Sequence, residues 1–322
     1  MTSFKKYFSP QAYLRFALNK INHHILHYVD IAVAPDPTMP FIQPPTFIIG
    51  APRSGSTLLF QVMTDAFDVA YLSNRHCQFF GAPALAERTF KPLRNKKPSD
   101  FTSFHGQTNG PDAPSECGAW WYRFFRREPA YVTLDDVDER KMIAFRRSLL
   151  ALTEVTQKPL IFKNLYAGLR LEPISKYVPE ALFIIIKREE LYNAASILAG
   201  RMKALGTYDK WWSVPPPDVN KLKDKPPHEQ VIGQIRSIYQ EIERVARDGF
   251  IEQDRMLQIE YEHLCQDTAK TLQRIESFWA KHNLIVEHRF PVPEKFTINR
   301  NMNIPPELQK DLISYSGKCA TN

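Results

Sequence analysis

Apolar residues recur every three or four positions at Leu14, Leu18, Ile21, Ile25 and Val29. That spacing predicts an amphipathic helix over residues 10–33, expected to dock on the domain that follows, with contact to a membrane surface as the alternative. A proline-rich stretch, Ala34 to Pro45, breaks the pattern. From Thr46 onward short apolar runs alternate with longer periodic segments. The runs 46–50, 69–72, 160–162, 182–186 and 256–259 have the length of strands; 56–67, 116–126, 137–156, 169–177, 190–204, 229–248 and 268–282 have helical periodicity. Alternation of this kind implies an α/β fold of three layers, with a mostly parallel central sheet of about five strands flanked by helices. The expected organisation is a lead-in over 1–45 and a single domain over 46–322. Insertions near 74–114 and 206–227 are long enough to act as acceptor walls or lids.

Composition narrows the function classes. The chain has 322 residues, 43% hydrophobic, enough to fill one sizeable core. No apolar run approaches the roughly 18 residues of a membrane span. The first twenty residues carry charges inside their apolar stretch, unlike a secretory signal, and no Asn-x-Ser/Thr acceptor occurs, so a cytoplasmic location is expected. A formal charge of +7 suits an anionic ligand such as a nucleotide. No basic arm or block marks the chain as a binder of nucleic acid. Cys77, Cys117, Cys265 and Cys319 form no Cys-x-x-Cys pair, and the closely spaced His23 and His27 lack a third ligand, so no metal site is expected. No oligomeric state follows from the sequence.

The strongest motif is FIIGAPRSGSTLLFQV, residues 47–62. An apolar strand enters a glycine-bearing loop, Gly50 to Thr57, that opens an apolar helix. Such a loop lines up backbone N–H groups with the positive end of the helix dipole and holds phosphate. Gly50, Gly55, Ser56 and Thr57 repeat the spacing of a nucleotide-triphosphate P-loop, but the lysine expected before the hydroxyl residue is replaced by Ser56. Without that lysine, phosphoryl transfer from ATP loses a main source of charge stabilisation. Arg53 supplies a cation on the other side of the loop.

The run Pro52 to Thr57 resembles the 5′-phosphosulfate loop of the sulfotransferase superfamily, whose donor is 3′-phosphoadenosine-5′-phosphosulfate (PAPS). Three further matches follow in order. In ALFIIIKREELYNAASIL, Arg188 ends a buried strand and Ser196 follows eight residues later, as in the pair by which the family binds the 3′-phosphate. In IFKNLYAGLRL, Lys163 resembles the lysine that neutralises charge on the transferring group. In QIEYEHLCQD, Tyr261, Glu262 and Leu264 resemble an element that supports the nucleotide pocket. The resemblance assigns donor binding to Arg53, Ser54, Gly55, Ser56, Thr57, Arg188 and Ser196, with Arg300 as a further cation closing over the 3′-phosphate. The Arg-Lys-Gly loop of other members is absent.

Leu165 stands where the small-molecule branch carries its catalytic histidine. The base then falls to Glu116, by likeness to the carbohydrate and tyrosylprotein branches; a helix-capping role for Glu116 is equally open, and His105 and His76 stand in reserve. The implied reaction is an in-line sulfuryl transfer to a hydroxyl, with Glu116, Lys163 and Arg53 as catalytic residues, no metal, and the nucleotide PAP as product. DVAYLSNRHCQFF resembles bacterial sulfotransferases of surface-polysaccharide and glycolipid synthesis, so the expected acceptor is a small molecule, carbohydrate or glycolipid. Trp120-Trp121 and Trp211-Trp212 are candidates for stacking on sugars, although paired tryptophans also serve cores. The alternatives are a P-loop kinase and a non-catalytic nucleotide-binding protein.

Overall fold

The computed structural model describes the backbone of residues 10–102, 106 and 108–318. They form a sheet of four parallel strands, β1 (Thr46–Ile49), β2 (Ile161–Lys163), β3 (Leu182–Lys187) and β4 (Met256–Glu260), in the order β2-β1-β3-β4. Register pairs Phe47 with Phe162 on one side and with Phe183 on the other. Both faces of β1 are buried, which is why its residues read as a continuous apolar run. Side chains alternate between two cores. Phe47, Ile49, Phe162, Phe183 and Ile185 enter one; Ile48, Ile161, Ile184 and Ile186 enter the other.

Four strands replace the expected five. Val69 to Leu72 does run beside β2, with Ala70 N–H donating to Pro159 O and Ile161 N–H donating to Ala70 O, both at 2.8 Å. It makes one parallel bridge there and then turns away into the 74–114 insertion. Periodicity cannot register that turn, because the run stays buried after it stops pairing.

The helices are α1 (Pro10–Ile21), α2 (His27–Ala32), α3 (Ser56–Ala66), α4 (Asn74–Gln78), α5 (Pro83–Phe90), α6 (Gly118–Trp121), α7 (Glu139–Thr156) and α8 (Leu171–Tyr177). They continue as α9 (Glu190–Leu205), α10 (Val219–Leu222), α11 (Pro227–Arg247), α12 (Tyr261–Gln266), α13 (Thr268–Lys281) and α14 (Pro306–Lys318). A π-helical turn, Asn22–Leu26, joins α1 to α2. One expectation fails. The helix expected over 116–126 shrinks to α6, which starts only after Cys117 takes a left-handed φ of 44°. The lead-in docks by its polar side, through Asn22 and Asp30, and leaves Leu14, Ile21 and Ile25 exposed.

Candidate active site

The phosphate loop sits where an open parallel sheet places its ligands, at the carboxyl end of a central strand with neighbours reached by crossovers on both sides. It is braced from behind. The Ala51 N–H donates to the Tyr239 hydroxyl at 3.3 Å, and that hydroxyl donates to Ile186 O on β3 at 2.7 Å. Asn193 of α9 donates to Pro52 O at 2.6 Å. Arg53 itself adopts a left-handed φ of 63°, a strained choice for a side chain with a Cβ, which these bonds hold in place. Gly55 follows at φ 94°, and a Cβ there would lie 2.3 Å from Cδ2 of the Tyr261 ring. Only glycine fits beneath that ring.

Arg53 and Arg188 meet at the loop. Arg53 Nε donates to Ser196 Oγ at 3.2 Å, while Arg188 donates to Arg53 O at 3.2 Å and to Asn299 O. The Arg188 guanidinium lies 4.8 Å from the Tyr261 ring centroid, and its Nε is buried without a hydrogen-bond acceptor. Desolvation lowers the pKa of both arginines; for Arg53, which stays exposed at the cleft mouth yet surrounded by protein, the Arg188 cation lowers it further. Neither forms an ion pair among the described residues. Two adjacent cations with a buried donor to spare present positive charge and hydrogen-bond donors suited to an anionic oxygen group.

Lys163 projects from the end of β2 into the same cleft, where its ammonium pairs with Glu116, 47 residues earlier in the chain. The lysine side chain is 3% exposed and the glutamate 32%, so the cation lies at the floor and the carboxylate opens toward solvent. Gly106, at φ 83°, comes close above them: a Cβ there would stand 3.2 Å from Glu116 Oε1 and 3.7 Å from both Lys163 Nζ and Thr57 Oγ1. The insertion that carries Gly106 is tied to α3, with Ser99 Oγ donating to Asp65 at 3.1 Å and Gln61 to Thr102 O at 3.2 Å. Glu116 does not cap α6, which has no side-chain capping bond.

The cleft holds about 500 Å³. Arg53, Gly55, Ser56, Thr57, Glu116, Lys163, Arg188 and Ser196 all line it, so eight of the ten sequence-derived site residues converge. Two do not. Ser54 is fully buried behind the loop, and Arg300 stands at the rim, 55% exposed and 3.8 Å from Glu189. His76 is buried elsewhere, held between Ser73 and Glu87, and His105 lies outside the described residues. Trp120 and Trp121 are fully buried core residues, whereas Trp212 reaches the cleft from the 206–227 insertion. Tyr239, Asn193 and the stretch Phe296 to Asn299 were missed by sequence reasoning; no local motif marks a side chain that braces a loop from a distant helix. A second hollow of about 490 Å³ lies between Lys96 and Asp112, where Arg75 is paired with Asp112 and Lys96 with Asp65. Among the described residues no group of three His, Cys, Asp or Glu side chains is placed to hold a metal ion.

Residues 44–280 match the Sulfotransferase family, and the chain belongs to it. Among solved structures, the chain is similar to sulfotransferase STF9 from Mycobacterium avium, at 16% identity and a TM-score of 0.53, with 97% of this chain and 79% of that one covered. Sulfotransferase STF1 from Mycobacterium tuberculosis H37Rv aligns at 14% identity and a TM-score of 0.51, over 94% of this chain and 80% of that one. At such identities the likeness is one of fold. No curated protein matches the chain in sequence.

Proposed function

We propose that the protein transfers a sulfuryl group from PAPS to a hydroxyl of a small acceptor, a carbohydrate or glycolipid, by a single in-line displacement. One observation carries this reading: Lys163 and Glu116, from distant parts of the chain, meet beside Thr57 at a phosphate loop that lacks the kinase lysine. Arg188, with Ser196 beside Arg53, suits the 3′-phosphate; its unpartnered Nε and the glycine-only approach under Tyr261 support a nucleotide there. Arg53, the loop N–H groups and Lys163 would hold the phosphosulfate. Glu116 would take the acceptor proton as the new oxygen–sulfur bond forms and the bond from sulfur to the bridging oxygen breaks, PAP leaving with that oxygen. Lys163 would meet the negative charge that gathers on the leaving oxygen, so its present partner, Glu116, would be released to act as base when the donor binds. Trp212 and Tyr166 give the acceptor side apolar faces on which a sugar ring can lie.

Calorimetric titration with PAP, and with ATP in the presence and absence of Mg²⁺, tests the donor assignment. The expected result is tight, metal-independent PAP binding that Arg188→Ala abolishes. Mg²⁺-dependent ATP binding with no response to PAP would identify a divergent kinase instead.

A further inference from the structure

The helical lead-in is seated with its polar side inward. Asn22 is fully buried, its Nδ2 donating to Leu18 O at 2.8 Å and Gln78 O at 2.9 Å while its Oδ1 accepts from Gly81 N at 2.7 Å. Asp30 is buried as well, paired with Arg123 at 3.1 Å and accepting from Ser148 Oγ at 2.7 Å. These contacts hold the polar side against the domain and turn the apolar stripe outward. Leu14, Ile21 and Ile25, spaced seven and four apart, are between 41% and 69% exposed, and Phe16, Tyr28 and Val33 are exposed with them. An exposed apolar stripe such as that of Leu14, Ile21 and Ile25 marks an interaction surface on a folded protein.

The charges beside the stripe say what covers it. Residues 1–29 contain Lys5, Lys6, Arg15 and Lys20 and no Asp or Glu; the first acid, Asp30, is consumed by Arg123. Lys20 Nζ lies 5.6 Å from the Phe16 ring centroid, on the same helix as the stripe. An isologous contact with a second copy would bring these cations together with no acid to meet them. An anionic lipid surface meets both halves of the pattern, since the acyl boundary takes the apolar stripe and the headgroups take the cations. Aromatic residues such as Phe16 and Tyr28 also favour that boundary. No helix among the described residues is long and apolar enough to cross a membrane, so the face lies on the surface. We propose that residues 10–33 dock this face in the plane of an anionic bilayer and hold the protein there.

Flotation of the full chain with vesicles provides the test. One set is phosphatidylcholine alone, the other phosphatidylcholine mixed with phosphatidylglycerol. Wild type should float with the mixed vesicles only, and less as salt rises. The double variant Ile21→Glu, Ile25→Glu should bind them more weakly by on the order of tenfold or more, and Lys20→Glu by a smaller factor. All three proteins should melt alike and bind PAP alike, because the altered side chains are exposed and away from the cleft; failure of PAP binding in every protein would count against the donor reading and leave this one standing. Equal flotation of wild type and double variant, or no flotation with the anionic vesicles, overturns the proposal. So does a dimer in light scattering that the double variant dissolves, which would assign the face to a second copy.

Discussion

Gly55 leaves little room for change in the phosphate loop. Gly55→Ala adds a methyl group 2.3 Å from the Tyr261 ring at a φ of 94°, so both sterics and backbone oppose it. We expect a loss of roughly 1–3 kcal/mol in thermal stability together with weaker PAP binding; an unchanged melt and affinity would show that Tyr261 yields freely. Lys163→Ala should lower kcat by about 10²–10³-fold while PAP affinity changes far less, if the ammonium serves the leaving oxygen. Equal losses in both would reduce it to a binding residue. Glu116→Gln should leave PAP binding intact and lower turnover by roughly 10²–10⁴-fold, as loss of a general base does. Turnover close to wild type would remove the glutamate from the chemistry. Most of the site was legible at this scale, because the family's motifs name Arg53, Lys163 and Arg188 directly. Ser54 belongs to the same motif yet turns inward. A motif gives residue order along a loop, and only the brace from Tyr239 and Asn193 decides which side chains face the cleft.

Among elements, the lead-in carries a pH dependence of its own. His27 accepts from Arg123 through Nδ1, at 3.1 Å from Nε and 2.9 Å from NH2, which requires the neutral ring. Desolvation by burial, then the Arg123 cation and lesser contributions from His23 and Lys141, depress its pKa from 6.5 to about 4. A folded-state pKa below the unfolded one means that the unfolded chain binds the proton more readily. The stabilisation from His27 is therefore complete above about pH 6.5 and is lost as pH falls toward 4. Because the ring is only half-buried, about 1–2 kcal/mol is the reasonable size after solvent screening. Thermal melts at neutral pH and near pH 5 should differ by this amount, and His27→Gln should flatten the difference; equal slopes in both proteins would place the sensitivity elsewhere. The strands β1, β2, β3 and β4 and the long helices α7, α9, α11 and α13 follow from apolar spacing within a residue or two. Short elements do not. The four residues of α6 are set by the left-handed turn at Cys117 and by the packing of Trp120 and Trp121 against Phe145. The lead-in was assigned helix but no face, because periodicity reports amphipathicity without reporting which side meets protein. Asn22 and Asp30 outweigh the apolar stripe through four hydrogen-bonded and ion-paired contacts that no sequence window contains.

At the scale of the whole molecule, strand order and the fold of the insertions decide where the cleft lies. Neither can be read along the chain, since β1 gains its neighbours from segments more than a hundred residues away. The insertion after β1 returns to α3 and sets Gly106 over Glu116, while the insertion after α9 brings Trp212 to the opposite wall. That wall is tightly fixed: a Cβ on Gly200 would fall 2.6 Å from the Trp212 ring, so α9 keeps a glycine where the indole rests. The arrangement has an optical consequence. Of the five tryptophans, Trp120, Trp121 and Trp279 are sealed in the cores and Trp211 lies against Arg201, 5.3 Å from its guanidinium. Trp212 borders the cleft itself. Filling the cleft should therefore alter the emission of one indole over a nearly constant background, and Trp212→Phe should silence the response while PAP still binds. The protein carries its own fluorescent gauge of occupancy, with which candidate acceptors can be ranked before any product is known.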